Sequence, residues 1–367
     1  MALPVRPLFL VLVALSLLSG IAGGLLRLGL AVPGTADAAW LGHAAASHAA
    51  LMICGFLSTV IGIERAVAIK RRIAFLAPLA SALGGLCLLT GQEAAAATLM
   101  VVAAALFVAV NVVVVRRQLA AHTLLLLIAA LAWLVGSVFF AAGAGAAAAL
   151  PWWFGFLVLT IAAERLEMTR LMRRRPAAHV MLYAVLAAML VGAAGSALSP
   201  AVGGSVYGAS MVLLAAWLGA FDIARRTIFA QGLSRYMAIC LLGGYVWLAV
   251  AGLAWAGAAW GLPWRDAALH ALGLGFVFCM VMGHAPVILP AVAGVKLQFG
   301  NFFYAPLILM HVSLALRLGW GAFDAAARAY GAMLNAATVA LFAATVVGAA
   351  LVWHLNHHDA RSAREGN

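Results

Sequence analysis

Twelve long apolar stretches constrain the fold of this chain more than any other feature. A helix that crosses the hydrocarbon core of a bilayer needs roughly 20 apolar residues. Stretches of about that length occur near residues 8–31, 43–69, 74–91, 94–115, 119–144, 148–168, 178–198, 201–222, 236–258, 267–293, 302–320 and 328–354. The sequence therefore predicts an all-α, polytopic membrane protein of about twelve transmembrane helices, in a single transmembrane domain over residues 1–367.

The composition excludes a soluble globular protein. Hydrophobic residues make up 67% of the chain and charged residues 9%, whereas ordinary domains carry about 45–50% and roughly 25%. Because so few polar groups cannot cover a water-exposed exterior, we expect the lipid bilayer to surround the chain as its partner. The formal charge of +12 does not indicate nucleic-acid binding, because the basic residues cluster at the ends of the apolar stretches.

The basic residues predict the orientation of the chain in the membrane. They follow every second predicted span, as Lys70-Arg71-Arg72, Arg116-Arg117, Arg173-Arg174-Arg175, Arg225-Arg226 and Lys296. Loops rich in Lys and Arg stay on the cytoplasmic side. We therefore expect both termini to be cytoplasmic.

An internal repeat is visible in the sequence. Gly55-Phe56-Leu57 is followed by Glu64-Arg65, and one hundred residues later Gly155-Phe156-Leu157 is followed by Glu164-Arg165. A weaker third copy begins with Gly275-Phe276-Val277. These copies fall on predicted spans two, six and ten, which suggests three four-helix repeats over residues 1–117, 118–230 and 231–360.

Two histidines within the predicted spans are the residues most suggestive of chemistry. Ionisable groups inside a bilayer are costly, so they usually face protein, a ligand or water. His48 lies in the outer part of span two, and His270 lies at a similar depth in span ten. Two imidazoles at one depth on different helices suit a six-coordinate b-type haem. The alternative is that each histidine forms a hydrogen bond to a neighbouring helix.

Two further histidines are candidate metal ligands. His284 follows His270 by fourteen residues, which in a regular α-helix is about 21 Å along the axis and roughly 40° around it. The two side chains are therefore expected on one face of span ten. His311, about halfway along span eleven, is expected at a depth similar to that of His284. Together His284 and His311 suggest a second haem or a metal site, and ordinary hydrogen bonding is the alternative.

Arg265 is the candidate partner of the haem propionates. It precedes His270 by five residues and lies beside Trp264. A cation near the surface would form charge-assisted hydrogen bonds with propionate groups. Extension of the arginine side chain to the membrane interface explains its position equally well.

Spans two and ten resemble the NnrS family of twelve-span bacterial membrane proteins. The family's signature of span two is matched by His48, Ala49 and Met52 and by Gly55-Phe56, and the family's signature of span ten is matched by His270-Ala271-Leu272 and Gly275. Ala50 and Leu51 stand where the family has a second His and a Glu. The resemblance implies bound haem, possible copper, and redox or gas-ligand chemistry linked to nitric oxide, nitrosative stress or denitrification.

The resemblance also implies partners. Nitric oxide or oxygen would be the haem ligand, and a respiratory electron donor would supply electrons. The threefold repeat is distantly similar to the catalytic subunit of the haem–copper oxidases. The paired histidines of the oxidase copper site are not recognisable here, which disfavours oxygen reduction with proton pumping.

Two other functions remain open at this point. The internal repeat and the Gly-rich helices are also typical of a secondary transporter for a small solute or metal ion. An assembly factor that passes haem or metal to a respiratory complex would use the same buried histidines.

Overall fold

The computed structural model describes residues 5–31, 38–169 and 176–365. Within these ranges all regular secondary structure is helical, and twelve helices are long and apolar enough to cross a membrane. The prediction of an all-α, multi-pass membrane protein is therefore confirmed. The twelve candidate spans, numbered one to twelve in chain order, are Leu8–Leu26, His48–Ile69, Arg72–Leu89, Glu93–Arg117, Ala121–Ala141, Gly145–Met168, Ala177–Gly195, Pro200–Phe221, Gly232–Ala259, Arg265–Val292, Asn301–Ala322 and Ala325–Asn356.

Two of the spans are followed by a residue in the left-handed backbone conformation. Span two ends at Ile69, and Lys70 takes a left-handed conformation with φ of 59°. Gly294 takes the same conformation, with φ of 69°, just after span ten. A left-handed residue directly after a helix lets the last carbonyls find donors without continuing the helix.

The cytoplasmic placement of the basic loops stays a prediction, and Arg173-Arg174-Arg175 lie outside the described residues.

Three spans contain a π-helical segment. Leu51–Ser58 interrupts span two, Ala271–Phe278 interrupts span ten, and Ala315–Gly319 interrupts span eleven. In a π-helix the hydrogen bonds run from residue i to i+5, and such segments are frequent at functional sites. The Gly-Phe pairs of spans two and ten both occupy the fifth and sixth positions of their π-helices. The corresponding pair of span six lies in regular α-helix.

The chain groups into two compact units, residues 1–207 and 208–367. The first unit has an aromatic core in which Trp133 stacks on Phe156 at 5.3 Å, with Phe107 packed edge-on against both rings. The hydroxyl of Tyr207 donates a hydrogen bond to the carbonyl of Pro151 at 2.8 Å. These contacts join spans four to six and the first part of span eight. The division into three repeats is a separate prediction that stays open.

The second unit is held together by close contacts at glycines. A Cβ at Gly252 in span nine would lie 2.5 Å from the carbonyl oxygen of Gly208 in span eight. Spans nine and ten also pack closely at glycines, since the side chain of Cys240 contacts Gly283 and that of Cys279 contacts Gly244. Helices in lipid associate mainly by such close packing, since the surrounding acyl chains are as apolar as leucine.

We expect Gly208→Val to destabilise the protein and Gly219→Val to leave it nearly unchanged. The two glycines belong to the same span, but a Cβ at Gly208 meets the backbone of Gly252, whereas nothing lies within 4 Å of one at Gly219. Overpacking of a close contact costs about 1–3 kcal/mol. Thermal unfolding of the two variants in detergent measures the difference. Equal melting temperatures would contradict a packed contact at Gly208.

Candidate functional site

His48 lies at the start of span two with its ring against span one. Its Nδ1 is 2.7 Å from the carbonyl oxygen of Gly20. A Cβ at Gly24 would lie 2.8 Å from Cε1 of the histidine, so this glycine makes room for the ring. Because a carbonyl only accepts hydrogen bonds, the neutral ring carries its proton on Nδ1 and its lone pair on Nε2. The nitrogen that a metal would bind is therefore Nε2.

His270 is held by a carboxylate one turn earlier in the same span. Its Nδ1 lies 2.9 Å from Oδ1 of Asp266 and 3.0 Å from the carbonyl oxygen of that residue. Its Nε2 lies 3.2 Å from a terminal guanidinium nitrogen of Arg317. Since an arginine only donates, Nε2 accepts and Nδ1–H donates to Asp266. His270 thus has the same tautomer as His48.

Arg317 connects His270 to a polar network inside the second unit. Its Nε and one terminal nitrogen donate to the two carboxylate oxygens of Asp266, at 3.0 and 2.8 Å. Its other terminal nitrogen lies 3.4 Å from the side-chain oxygen of Asn335. Asn335 in turn donates to the hydroxyl of Ser313 at 2.7 Å. The guanidinium is only 8% exposed, so this network satisfies a charge that would otherwise be costly to bury.

The arginine that contacts His270 is Arg317, and it comes from span eleven. Arg265, the candidate from the sequence, is exposed at the first residue of span ten. Its pairing with a propionate stays a prediction. Asp266 could have been found from the sequence, because a residue four positions before a helical histidine shares its face. Arg317 and Asn335 could not be assigned to His270, since their contacts depend on how three spans pack.

The expectation that His270 and His284 share one face of span ten depends on regular α-helical geometry, which this span does not keep between them. It assumed 100° per residue throughout, but the π-helix Ala271–Phe278 lies between them. An i to i+5 segment holds about one residue more than the α-helix it replaces, which turns later residues back by roughly 100°. The angle between the two histidines therefore grows from about 40° to about 140°.

His284 and His311 both have hydrogen-bond partners. The Nδ1 of His284 lies 2.7 Å from the carbonyl oxygen of Met280. The indole Nε1–H of Trp247 donates to Nδ1 of His311 at 2.9 Å, and the two rings are nearly parallel at 7°. Among the described residues no group of three or more His, Cys, Asp or Glu side chains is arranged to hold a metal ion. Copper binding by the two histidines stays a prediction.

The Glu-Arg pairs of spans two and six come together in the first unit. The carboxylate of Glu164 in span six interacts electrostatically with Glu64 and Arg65 of span two, and with its neighbour Arg165. Arg165 is 4% exposed. The repeat in the sequence therefore marks two segments whose charged ends are neighbours in space.

Sequence comparison assigns the chain to a family without assigning it an activity. Residues 6–351 match the family described as Domain of unknown function (DUF8744), and the chain belongs to that family. No curated protein matches the chain, and no solved structure matches it.

We expect Asp266 and Arg317 to be energetically coupled. Removal of one member of a largely buried pair leaves the other charge without its partner, which costs roughly 3–5 kcal/mol. Asp266→Asn and Arg317→Met should each lower the free energy of unfolding, and the double variant should lose clearly less than the sum of the two. Unfolding of the four proteins in mixed detergent measures this double-mutant cycle. Additive losses would contradict direct coupling.

Proposed function

We propose that this member of the DUF8744 family is a membrane protein that binds b-type haem, with His48 and His270 as nitrogen ligands. One observation carries the proposal. In both histidines Nδ1 faces an oxygen acceptor, the carbonyl of Gly20 and the carboxylate of Asp266 respectively. Metal-binding histidines almost always donate their second ring N–H in this way, which fixes the ring and makes Nε2 the ligand atom.

The residues around the two rings have distinct tasks in this proposal. The hydrogen bond to the Gly20 carbonyl and the close approach to Gly24 fix the plane of the His48 ring. Asp266 fixes His270, and its ion pair with Arg317 balances the carboxylate charge. Ligation through Nε2 of His270 would replace the hydrogen bond from Arg317 and leave the pair with Asp266 in place. When bound, haem supplies an iron that exchanges one electron or binds a diatomic gas.

The resemblance to the NnrS family suggests what such a site is for. We propose redox or gas-ligand chemistry linked to nitric oxide or nitrosative stress, with nitric oxide or oxygen as ligand and a respiratory electron donor. The bacterial inner membrane, with both termini in the cytoplasm, is the corresponding location. Copper at His284 and His311 belongs to the same proposal, although Nδ1 of His311 already accepts a hydrogen bond from Trp247.

Absorption spectra of the purified protein test the proposal. We expect a reduced α-band in the dithionite-treated protein, and we expect His48→Ala and His270→Ala each to abolish or shift it. His179→Ala is the matched control, because this histidine stands near the start of span seven beside Tyr183. A pyridine haemochrome assay gives the haem content of each variant.

Two results would count against the proposal. The first is a protein that holds no haem after expression with added haem precursor, although it is folded. The second is a band that is equal in the wild type and in both histidine variants, which would move the ligands elsewhere.

A transporter is the second candidate, and span ten carries the observation that favours it. This span contains a π-helix and two internal prolines, Pro286 and Pro290. Each proline removes a backbone donor near the end of the span, and the π-helix ends near its middle, where interrupted helices form the substrate sites of many transporters. Uptake of copper(I) into proteoliposomes by haem-free protein would favour transport, whereas haem-loaded protein without uptake would exclude it for this ion.

A further inference from the structure

A cleft in the second unit lies beside the Asp266–Arg317 pair. Its volume is about 220 Å³, and it lies where span nine ends, span ten begins, and span eleven meets span twelve. Apolar walls come from Val250, Leu253 and Trp264, and the charged side chains that line it are Asp266, Arg317 and Arg328. The cleft is smaller than the roughly 300–1,000 Å³ of sites for drug-sized ligands. It therefore suits one end of a longer molecule.

The charge in this cleft is positive. Two guanidinium groups and one carboxylate line it, which leaves a net charge of +1. Arg317 directs two nitrogens at Asp266, so its charge is balanced. Arg328 donates from Nε to the carbonyl oxygen of Gly321 at 2.8 Å and forms no ion pair with any described residue. The unbalanced charge is thus that of Arg328.

The start of span twelve lies beside Arg328. The helix begins at Ala325, and the first turn of a helix carries a partial positive charge. Asp324 is exposed and accepts the N–H of Ala327 with its side chain at 2.9 Å, so it caps one of the free amides. Arg328 lies within this first turn and extends back to Gly321. Because the Asp324 carboxylate offsets the partial charge of the helix end, the guanidinium of Arg328 is the group that would attract an anion into the cleft.

The apolar side of the cleft continues onto the surface of the spans. Leu253 is 62% exposed and Trp264 is 43% exposed, and both line the cleft. In a membrane-spanning chain such surfaces face acyl chains, and tryptophan is typical of the level of the lipid headgroups. The ligand that fits has an anionic end for Arg328 and an apolar body for the surface that Leu253 forms.

We propose that the cleft binds the phosphate of an anionic phospholipid, with Arg328 as its hydrogen-bond donor and the acyl chains along Val250 and Leu253. A guanidinium forms two parallel hydrogen bonds to a phosphate group. Arg317 and Asp266 build the floor of the site and keep it polar. Lipid binding here does not require haem, although the Asp266–Arg317 pair also contacts His270.

Native mass spectrometry of the delipidated protein with added phosphatidylglycerol tests the inference. We expect one tightly bound lipid, and we expect Arg328→Gln to weaken its binding about tenfold, since a charge-assisted pair is lost. Ala322→Trp should also remove it, because this exposed residue lines the cleft and the larger ring would fill the space. Arg225→Gln is the control, since this exposed arginine donates to the carbonyl of Ala220 far along the chain from the cleft.

The other arms of the experiment separate the possible sources of the anion. Preference for phosphatidylglycerol over phosphatidylethanolamine supports the inference, because the cleft carries a net positive charge. Equal binding of inorganic phosphate alone, or unchanged lipid binding by Arg328→Gln and Ala322→Trp, would overturn it. Displacement of the lipid by a short-chain ubiquinone would overturn it in favour of a quinone headgroup.

Discussion

Close contact between helix backbones is the constraint on which the rest of this structure depends. Inside a bilayer the hydrophobic effect drives helices into the lipid but does not hold them to one another, so association rests on packing and on polar contacts. The glycines at positions 23, 208 and 252 bring neighbouring backbones together without any side chain between them. The same device makes room for functional groups, since Gly24 accommodates the ring of His48 and Gly243 that of His311.

The polar side chains within this framework are organised in small, locally satisfied groups. Asp266, Arg317, Asn335 and Ser313 form one connected set, which passes from span ten through span eleven to span twelve. An unsatisfied polar group within lipid costs several kcal/mol, so a network of this kind limits which helices can be neighbours. Its position next to His270 means that one set of contacts both joins three spans and orients a candidate ligand.

The sequence predicts those parts of the structure that depend on length and hydropathy. All twelve spans lie where the apolar stretches are, because a bilayer-spanning helix is a property of one segment of chain. The place of Asp266 beside His270 follows from helical spacing in the same way. The contact of Arg317 with His270, and the bond between Trp247 and His311, join residues 47 and 64 positions apart. No local pattern encodes such contacts, so they required the structure.

The π-helix of span ten interrupts the regular relation between spacing along the chain and position around the helix. Residue spacing predicts which side chains share a face of the helix on either side of Ala271–Phe278, but not across that segment. The segment is also a position at which the chain can lose a residue and remain helical. Loss of one residue there would return the segment to regular α-helix with its hydrogen bonds intact, whereas loss of one elsewhere in the span would break the pattern of contacts. Deletions of a single residue in this helix should therefore be tolerated most readily within those eight residues.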